Sequence, residues 1–268
     1  MVSLILVAIG PYIVPYSPVA LSVKEQLLSP SFKHWFGTDN NGMDIFSRVL
    51  AAYRVDLFIA FSGGLIAMLI GGPLGVFVGY FDGKGRGLGF LATIILRIID
   101  VIQAFPLIIL GLLLVTAFGA SPFNIIFLIA LGNIPTNIRL ARTETLSLRD
   151  KLFVEAAKAQ GITEAKIAFK EILPNSINQV ISLLSMSMGF GILFTAGISF
   201  VGAGVQAPTP EWGLMISAGA SQMITGQWWT ALFPGLFMGI TVFGFSMMGQ
   251  ALTELIDPLN RVELGFRK

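Results

Sequence analysis

Glu155-Ala156-Ala157, then Gly161, then Ile172-Leu173-Pro174, form the stretch in which residue type and spacing point most clearly to a task. The chemistry on offer is contact, not catalysis. Glu155 supplies a carboxylate for a polar or ionic contact. Ala156 and Ala157 are small enough to let another surface come close, and Gly161 is free to take the left-handed conformation of a bend. No nucleophile–base constellation is legible elsewhere in the chain. The Gly83-Lys84 pair is followed by Gly85 and lacks the upstream glycine of a phosphate-binding loop. The chain has no cysteine, which removes disulfides, thiol catalysis and cysteine-ligated metal. Its single histidine, His34, cannot build a metal site alone and reads as structural. We expect no catalytic, cofactor-binding or metal-binding residue here.

The elements that must position these residues are two short helices and a tight bend. Ser147 is a candidate N-cap for a first helix of good helix formers, Leu148 to Gln160. Phe153, Ala156, Ala157 and Gln160 are spaced to share one face of it. Gly161 stands where a left-handed residue closes a helix. Thr163 is placed to cap a second helix, Glu164 to Ile172, which Pro174 is expected to stop. Spacing alone leaves open whether this hairpin docks a partner or is merely solvated.

Around the hairpin the chain is apolar. It is 54% hydrophobic and 12% charged, where a soluble domain averages about 25% charged, so it reads as an integral membrane protein. Residues 2–14 are short for a span, which needs about 20 residues, and they carry no basic leader or cleavage site of a signal peptide. Val55 to Phe81 is a clear span with Asp56 its only charge; Gly71, Gly72, Gly75 and Gly79 crowd its second half beside Pro73, as close helix packing favours. From Val101 to Ile138 there is no charge; Gly119-Ala120-Ser121-Pro122 divides that run into spans near 88–118, kinked at Phe105-Pro106, and 123–142. Arg97 and Asp100, three apart on one helical face, read as an ion pair. Further spans cover 177–200 and 231–253, the last entered through Trp228 and Trp229 as interfacial anchors. Gln103, Asn133, Asn137 and Ser187 are polar within spans; helix–helix hydrogen bonding explains them as well as a solute path does.

Charge fixes an orientation. With six spans and the hairpin inside, residues 82–87, 139–171 and 254–268 are cytoplasmic and hold two, seven and three of the seventeen Lys and Arg. The outer segments hold Lys24, Lys33, Arg48 and Arg54. That asymmetry places both termini in the cytoplasm. The net charge of +2 is accounted for by these loops and not by nucleic acid. No acidic residue sits in the middle of the clear spans and no inverted repeat is legible, as an ion-coupled carrier would have. A conduit without its own power source has to be driven from outside.

The Glu155, Ala156, Ala157, Gly161, Ile172, Leu173 and Pro174 pattern resembles the EAA loop of ABC importer permeases. Two further elements resemble the dipeptide, oligopeptide and nickel branch of that family: Phe36-Gly37-Thr38-Asp39-Asn40-Asn41-Gly42-Met43-Asp44 continuing to Ser47-Arg48, and Pro208-Thr209-Pro210-Glu211-Trp212-Gly213. Asp257-Pro258-Leu259 in the tail is also like that branch. Met43 departs from it, standing where Arg is usual. Asp39, Asp44 and Arg48 read first as turn and cap chemistry.

The resemblance implies an all-α membrane fold of six transmembrane helices with a cytoplasmic coupling helix-turn-helix. Residues 1–54 would hold a short or truncated first span and an extracytoplasmic segment, 55–260 the permease core with its coupling loop at 139–175, and 261–268 a cytoplasmic tail. It also implies a prokaryotic inner-membrane location, a second homologous permease, two ATPase subunits carrying Mg-ATP, and an extracytoplasmic solute-binding protein that delivers peptides or similar small solutes such as nickel complexes. In that setting the seven residues would couple to the ATPase, and lipid would surround the spans. A gated channel or membrane scaffold with a regulatory hairpin, needing no ATPase, is the alternative.

Overall fold

The computed structural model describes Gly10, residues 13–85 and residues 87–256. The first nine residues, Arg86 and the tail with Asp257-Pro258-Leu259 lie outside the described residues, and so does most of the short first span. The regular elements are helices; among the described residues there is no strand, only a single bridge pairing Thr38 with Asp44. In chain order they are α1 (Ile45–Phe81), α2 (Leu88–Ala104), α3 (Leu107–Phe118), α4 (Pro122–Leu148), α5 (Leu152–Ala159), α6 (Glu164–Lys166), a π-helical stretch Ile167–Ile172, α7 (Leu173–Phe200), α8 (Trp212–Ile224) and α9 (Trp229–Ile256).

Among the described residues α1, α4, most of α7 and α9 are long and apolar enough to cross a bilayer, and the bent pair α2–α3 makes a fifth span if counted as one. The break in that pair is the expected proline effect carried further. Phe105 is driven to extended backbone, φ −92° and ψ 131°, because the ring of Pro106 disfavours helical geometry in the residue before it.

The first long helix starts ten residues earlier than its apolar run. Asp44 is the cause. Its Oδ2 accepts the Ser47 backbone N–H at 2.8 Å and the Ser47 hydroxyl at 2.7 Å, satisfying the open first turn. His34 Nδ1 lies 2.9 Å from the other Asp44 oxygen, and the His34 ring stacks on Tyr16 at 4.8 Å. The histidine is structural, as expected.

The chain forms two compact units. Of the described residues, one contains those up to 62 together with 108–127 and 188–245, and the other those within 63–107, 128–187 and 246–256. The first is built on aromatic packing: Ile45, Val49, Met215 and Trp229 are buried with Phe36, Phe233 and Phe237 around them. Trp229 donates its indole N–H to the Thr38 carbonyl at 3.3 Å. It is therefore a core residue, whereas Trp228 is exposed.

The second unit is built on close backbone approach. A Cβ on Gly71 would stand 2.5 Å from Asn137 Cβ, one on Gly75 2.5 Å from the Ile138 carbonyl oxygen, and one on Gly79 2.7 Å from Thr145 Cβ. The four-residue glycine spacing puts all three on one face, so α1 lies directly on the α4 backbone. Asn133 and Asn137 donate to carbonyls one turn back in α4, at 2.8 and 3.0 Å, and so bond within their own helix and not between helices. Asp100 is paired with Arg97 at 3.7 Å, but its closer partner is Arg139 of α4 at 2.9 Å.

Candidate functional site

The hairpin is α5, the bend at 160–163, and α6 with the π-helical stretch. Gly161 has φ +75°, so the bend is left-handed where glycine is least costly. Its N–H donates to the Lys158 carbonyl at 3.0 Å, and the Ile162 N–H reaches back to the Ala157 carbonyl at 3.1 Å. These two bonds are the paired signature of a Schellman helix end. Ile162 itself packs on the unit's core, which supplies the apolar contact that usually accompanies the motif.

Two expected boundaries move. Ser147 does not cap α5: it lies inside α4, which runs to Leu148, and Lys151 is the N-cap residue. Leu148 ends α4, and the helix expected over Leu148 to Gln160 is the shorter α5. Pro174 does not stop the second helix either; it falls in the first turn of α7, which follows the π-helical stretch without a gap. Leu173 donates its N–H to the Ala168 carbonyl five residues back. That wider turn, placed just before the proline, reorganises the carbonyls its ring would otherwise meet. Thr163 stands at the N-cap position of α6 in extended geometry, but its side chain makes no capping hydrogen bond.

The hairpin is rooted, not free. Val154, Ala157, Ile167, Ala168 and Ile172 are buried in one cluster with Val76, Val78, Tyr80 and Phe81 of α1, Ala92 of α2 and Ala141 of α4. Each fully buried Val or Ile contributes about 2 kcal/mol of apolar burial. The helical face expected to hold Phe153, Ala156, Ala157 and Gln160 together is therefore split. Ala157 turns inward at 7% exposure, beside Val154, while Phe153, Glu155, Ala156 and Gln160 remain exposed. Leu152 is 82% exposed, a large apolar side chain left in solvent at the start of α5. Of the other candidate residues, Ile172 is buried, Leu173 half-buried and Pro174 exposed.

The second pair of motifs meets in the first unit. Asp39 Oδ1 accepts the N–H groups of Asn41 and Met43 at 2.8 and 2.9 Å, an Asx turn of the kind its sequence suggested. Arg48 is nearly buried, and its Nη1 donates to the carbonyls of Pro18 and Pro208 at 2.9 and 3.2 Å. The same nitrogen is 2.9 Å from the Met43 sulfur. Met43 thus fills, with a soft apolar side chain, the position where the branch usually has Arg.

Glu211 caps α8, accepting the Gly213 and Leu214 N–H groups at 2.7 Å each. Trp212 donates its backbone N–H to Asp56 Oδ2 at 3.1 Å and its indole N–H to the Val49 carbonyl at 3.2 Å. The lone span aspartate is explained by this contact. Asp56 was legible as an anomaly in an apolar run; its partner, 156 residues away, was not.

Several apolar helices long enough to cross a membrane and a hairpin rooted on one of the two units are the features that bear on function. Residues 71–262 match the family described as "Binding-protein-dependent transport system inner membrane component", and the chain belongs to it. It is 40% identical to the dipeptide transport system permease protein DppC of Alkalihalophilus pseudofirmus, over 96% of this chain and 82% of that protein. It is 36% identical to the glutathione transport system permease protein GsiD of Pectobacterium atrosepticum, over 95% of this chain and 84% of that one. Among solved structures it is similar to an inward-facing conformation of the MetNI methionine ABC transporter, with TM-score 0.64 and 17% identity, covering 78% of this chain and 96% of the other; that likeness concerns the fold. The chain is a permease subunit of an ABC importer.

Proposed function

We propose that this permease carries di- or oligopeptides, or similar small solutes, and that its hairpin is the seat of the ATPase. The relatives named for dipeptide and glutathione transport support the solute class. The observation that carries the docking reading is the exposed edge of α5. Leu152, Phe153, Glu155 and Ala156 face outward from a helix anchored on its other side by Val154 and Ala157. An exposed apolar patch held on a rigid support is what a partner surface needs. Ala156 allows close seating, Glu155 supplies the charge, and Gly161 sets the angle of the bend. Ala157, Ile172 and Leu173 serve the same coupling from the inner side, and Pro174 opens α7.

In this reading a second permease completes the pathway, two ATPase subunits bind Mg-ATP below, and a solute-binding protein delivers cargo from outside. Both termini lie in the cytoplasm. ATP-driven closure of the ATPases moves the hairpin as a rigid body, and the attached spans tilt between inward- and outward-open states. The test is reconstitution: the complete complex in proteoliposomes should take up a labelled dipeptide only with ATP and the binding protein present. Uptake by this chain alone, or uptake indifferent to ATP, overturns the reading.

A further inference from the structure

The EAA pattern accounts for α5 and its bend, but not for what the hairpin is fastened to. Within the second unit the partner is the C-terminal end of α1. Lys84, just beyond that end, places its Nζ 3.7 Å from the centroid of the Tyr80 ring and 3.0 Å from Glu164 Oε1 on α6. Tyr80 is 1% exposed and belongs to the same buried cluster as Val154, Ala157 and Ile167. The end of α1 is also tied to α4. Arg142 donates to Asp82 at 2.9 Å, Arg149 donates to the Gly79 carbonyl at 3.4 Å, and the glycine face described above lies on the α4 backbone.

Covalently, the hairpin hangs between α4 and α7, and a push on it would be expected to travel through those two helices. The contacts add a third route. We propose that the end of α1 is a second handle on the hairpin, and that Lys84 is a positioning residue that fixes the angle between α6 and α1 during transport. The apolar cluster supplies most of the holding energy, because the Lys84–Glu164 pair is partly solvated and such pairs are individually weak. The ion pair contributes direction: an ammonium held between a ring face and a carboxylate has one favourable position. The inference rests on the hairpin being the site the ATPases move.

The experiment uses the complete complex in proteoliposomes and reads ATP hydrolysed per solute imported. Lys84→Met, which removes both contacts, should raise that ratio at least about two- to fivefold, the range for losing one such contact, while ATPases still co-purify. Lys84→Arg, which keeps both contacts, should restore it. The chain has no cysteine, so a Lys84→Cys, Glu164→Cys pair can be bridged cleanly with a short bismaleimide. The unbridged pair should be uncoupled like Lys84→Met, and closing the bridge should return the ratio toward the wild-type value. A wild-type ratio in Lys84→Met, or a bridge whose closure stops transport, overturns the proposal. Failure of the docking reading is seen separately, as ATPases that co-purify equally well with an Ala156→Trp chain.

Discussion

Gly161 shows how much one residue can decide. Nothing lies within 4 Å of where its Cβ would be, so only the backbone, at φ +75°, resists a side chain. A β-branched residue there should cost about 1–2 kcal/mol, and asparagine less, since it tolerates that region. We expect Gly161→Val to loosen the hairpin and raise ATP consumed per solute, with Gly161→Asn close to wild type; equal behaviour of the two would remove the bend from the coupling mechanism. Glu211 is the other decisive residue. Burial raises its carboxyl above the ordinary range, and Asp56 Oδ1 faces no donor of its own. A carboxyl raised in the folded state favours folding fully below the unfolded value near 4.5, and that contribution is lost as pH rises through the raised folded value. Glu211→Gln, whose amide oxygen can still accept one first-turn N–H, should keep part of the cap and flatten the dependence of melting temperature on pH. Glu211→Ala should lose about 1–2 kcal/mol with the cap. A glutamine variant as unstable as the alanine one would contradict the capping role of the side-chain oxygen. Residues whose task is local, such as Gly161, Asp39 and Asp44, were readable because a turn or cap lies within a few positions. Glu211 with Asp56 was not, because that contact joins distant parts of the chain.

At the scale of elements, composition located the spans but not their ends. The apolar run begins at Val55, yet α1 begins at Ile45, because Asp44 with Ser47 can start a helix in polar sequence. Pro174 misled for the opposite reason: proline stops a helix unless the turn before it widens, and the stretch Ile167–Ile172 does so. The glycine stripe was legible because its four-residue spacing survives any uncertainty about ends. Its consequence can be tested. At Gly75 a side chain would meet the Ile138 carbonyl oxygen and the Ala141 methyl at 2.5 and 2.6 Å, and backbone cannot step aside as a flexible side chain can. Gly75→Leu should overpack the α1–α4 contact, costing about 1–3 kcal/mol or more, and lower the melting temperature of the detergent-purified protein. Gly72→Leu, on a face where a Cβ meets only Val180 Cγ1 at 3.7 Å, should have a much smaller effect. If the two variants melt alike, the packing face is misassigned.

For the whole molecule, the sidedness of the membrane decides whether the hairpin can meet an ATPase at all. The basic residues argue for one answer. Twelve of seventeen Lys and Arg fall in segments that are cytoplasmic if the hairpin is, and only Lys24, Lys33, Arg48 and Arg54 fall outside. Two of these four are already committed: Lys33 to Glu25 and Arg48 to the carbonyls of Pro18 and Pro208. Lys84, Arg139 and Arg142 on the inner side are paired in the same way, so the bias rests on the count of basic residues itself. The absence of cysteine makes the test direct. Single cysteines at Lys158 on α5 and at Asn40 beside the Asx turn, both exposed positions, should label oppositely with a membrane-impermeant maleimide on intact cells. Asn40→Cys should react at once, and Lys158→Cys only after permeabilisation. Reaction of Lys158→Cys from outside would place the hairpin beyond reach of ATP. Coupling through Glu155 and Ala156, and the handle at Lys84, would then fall together, since both depend on force applied from the cytoplasm.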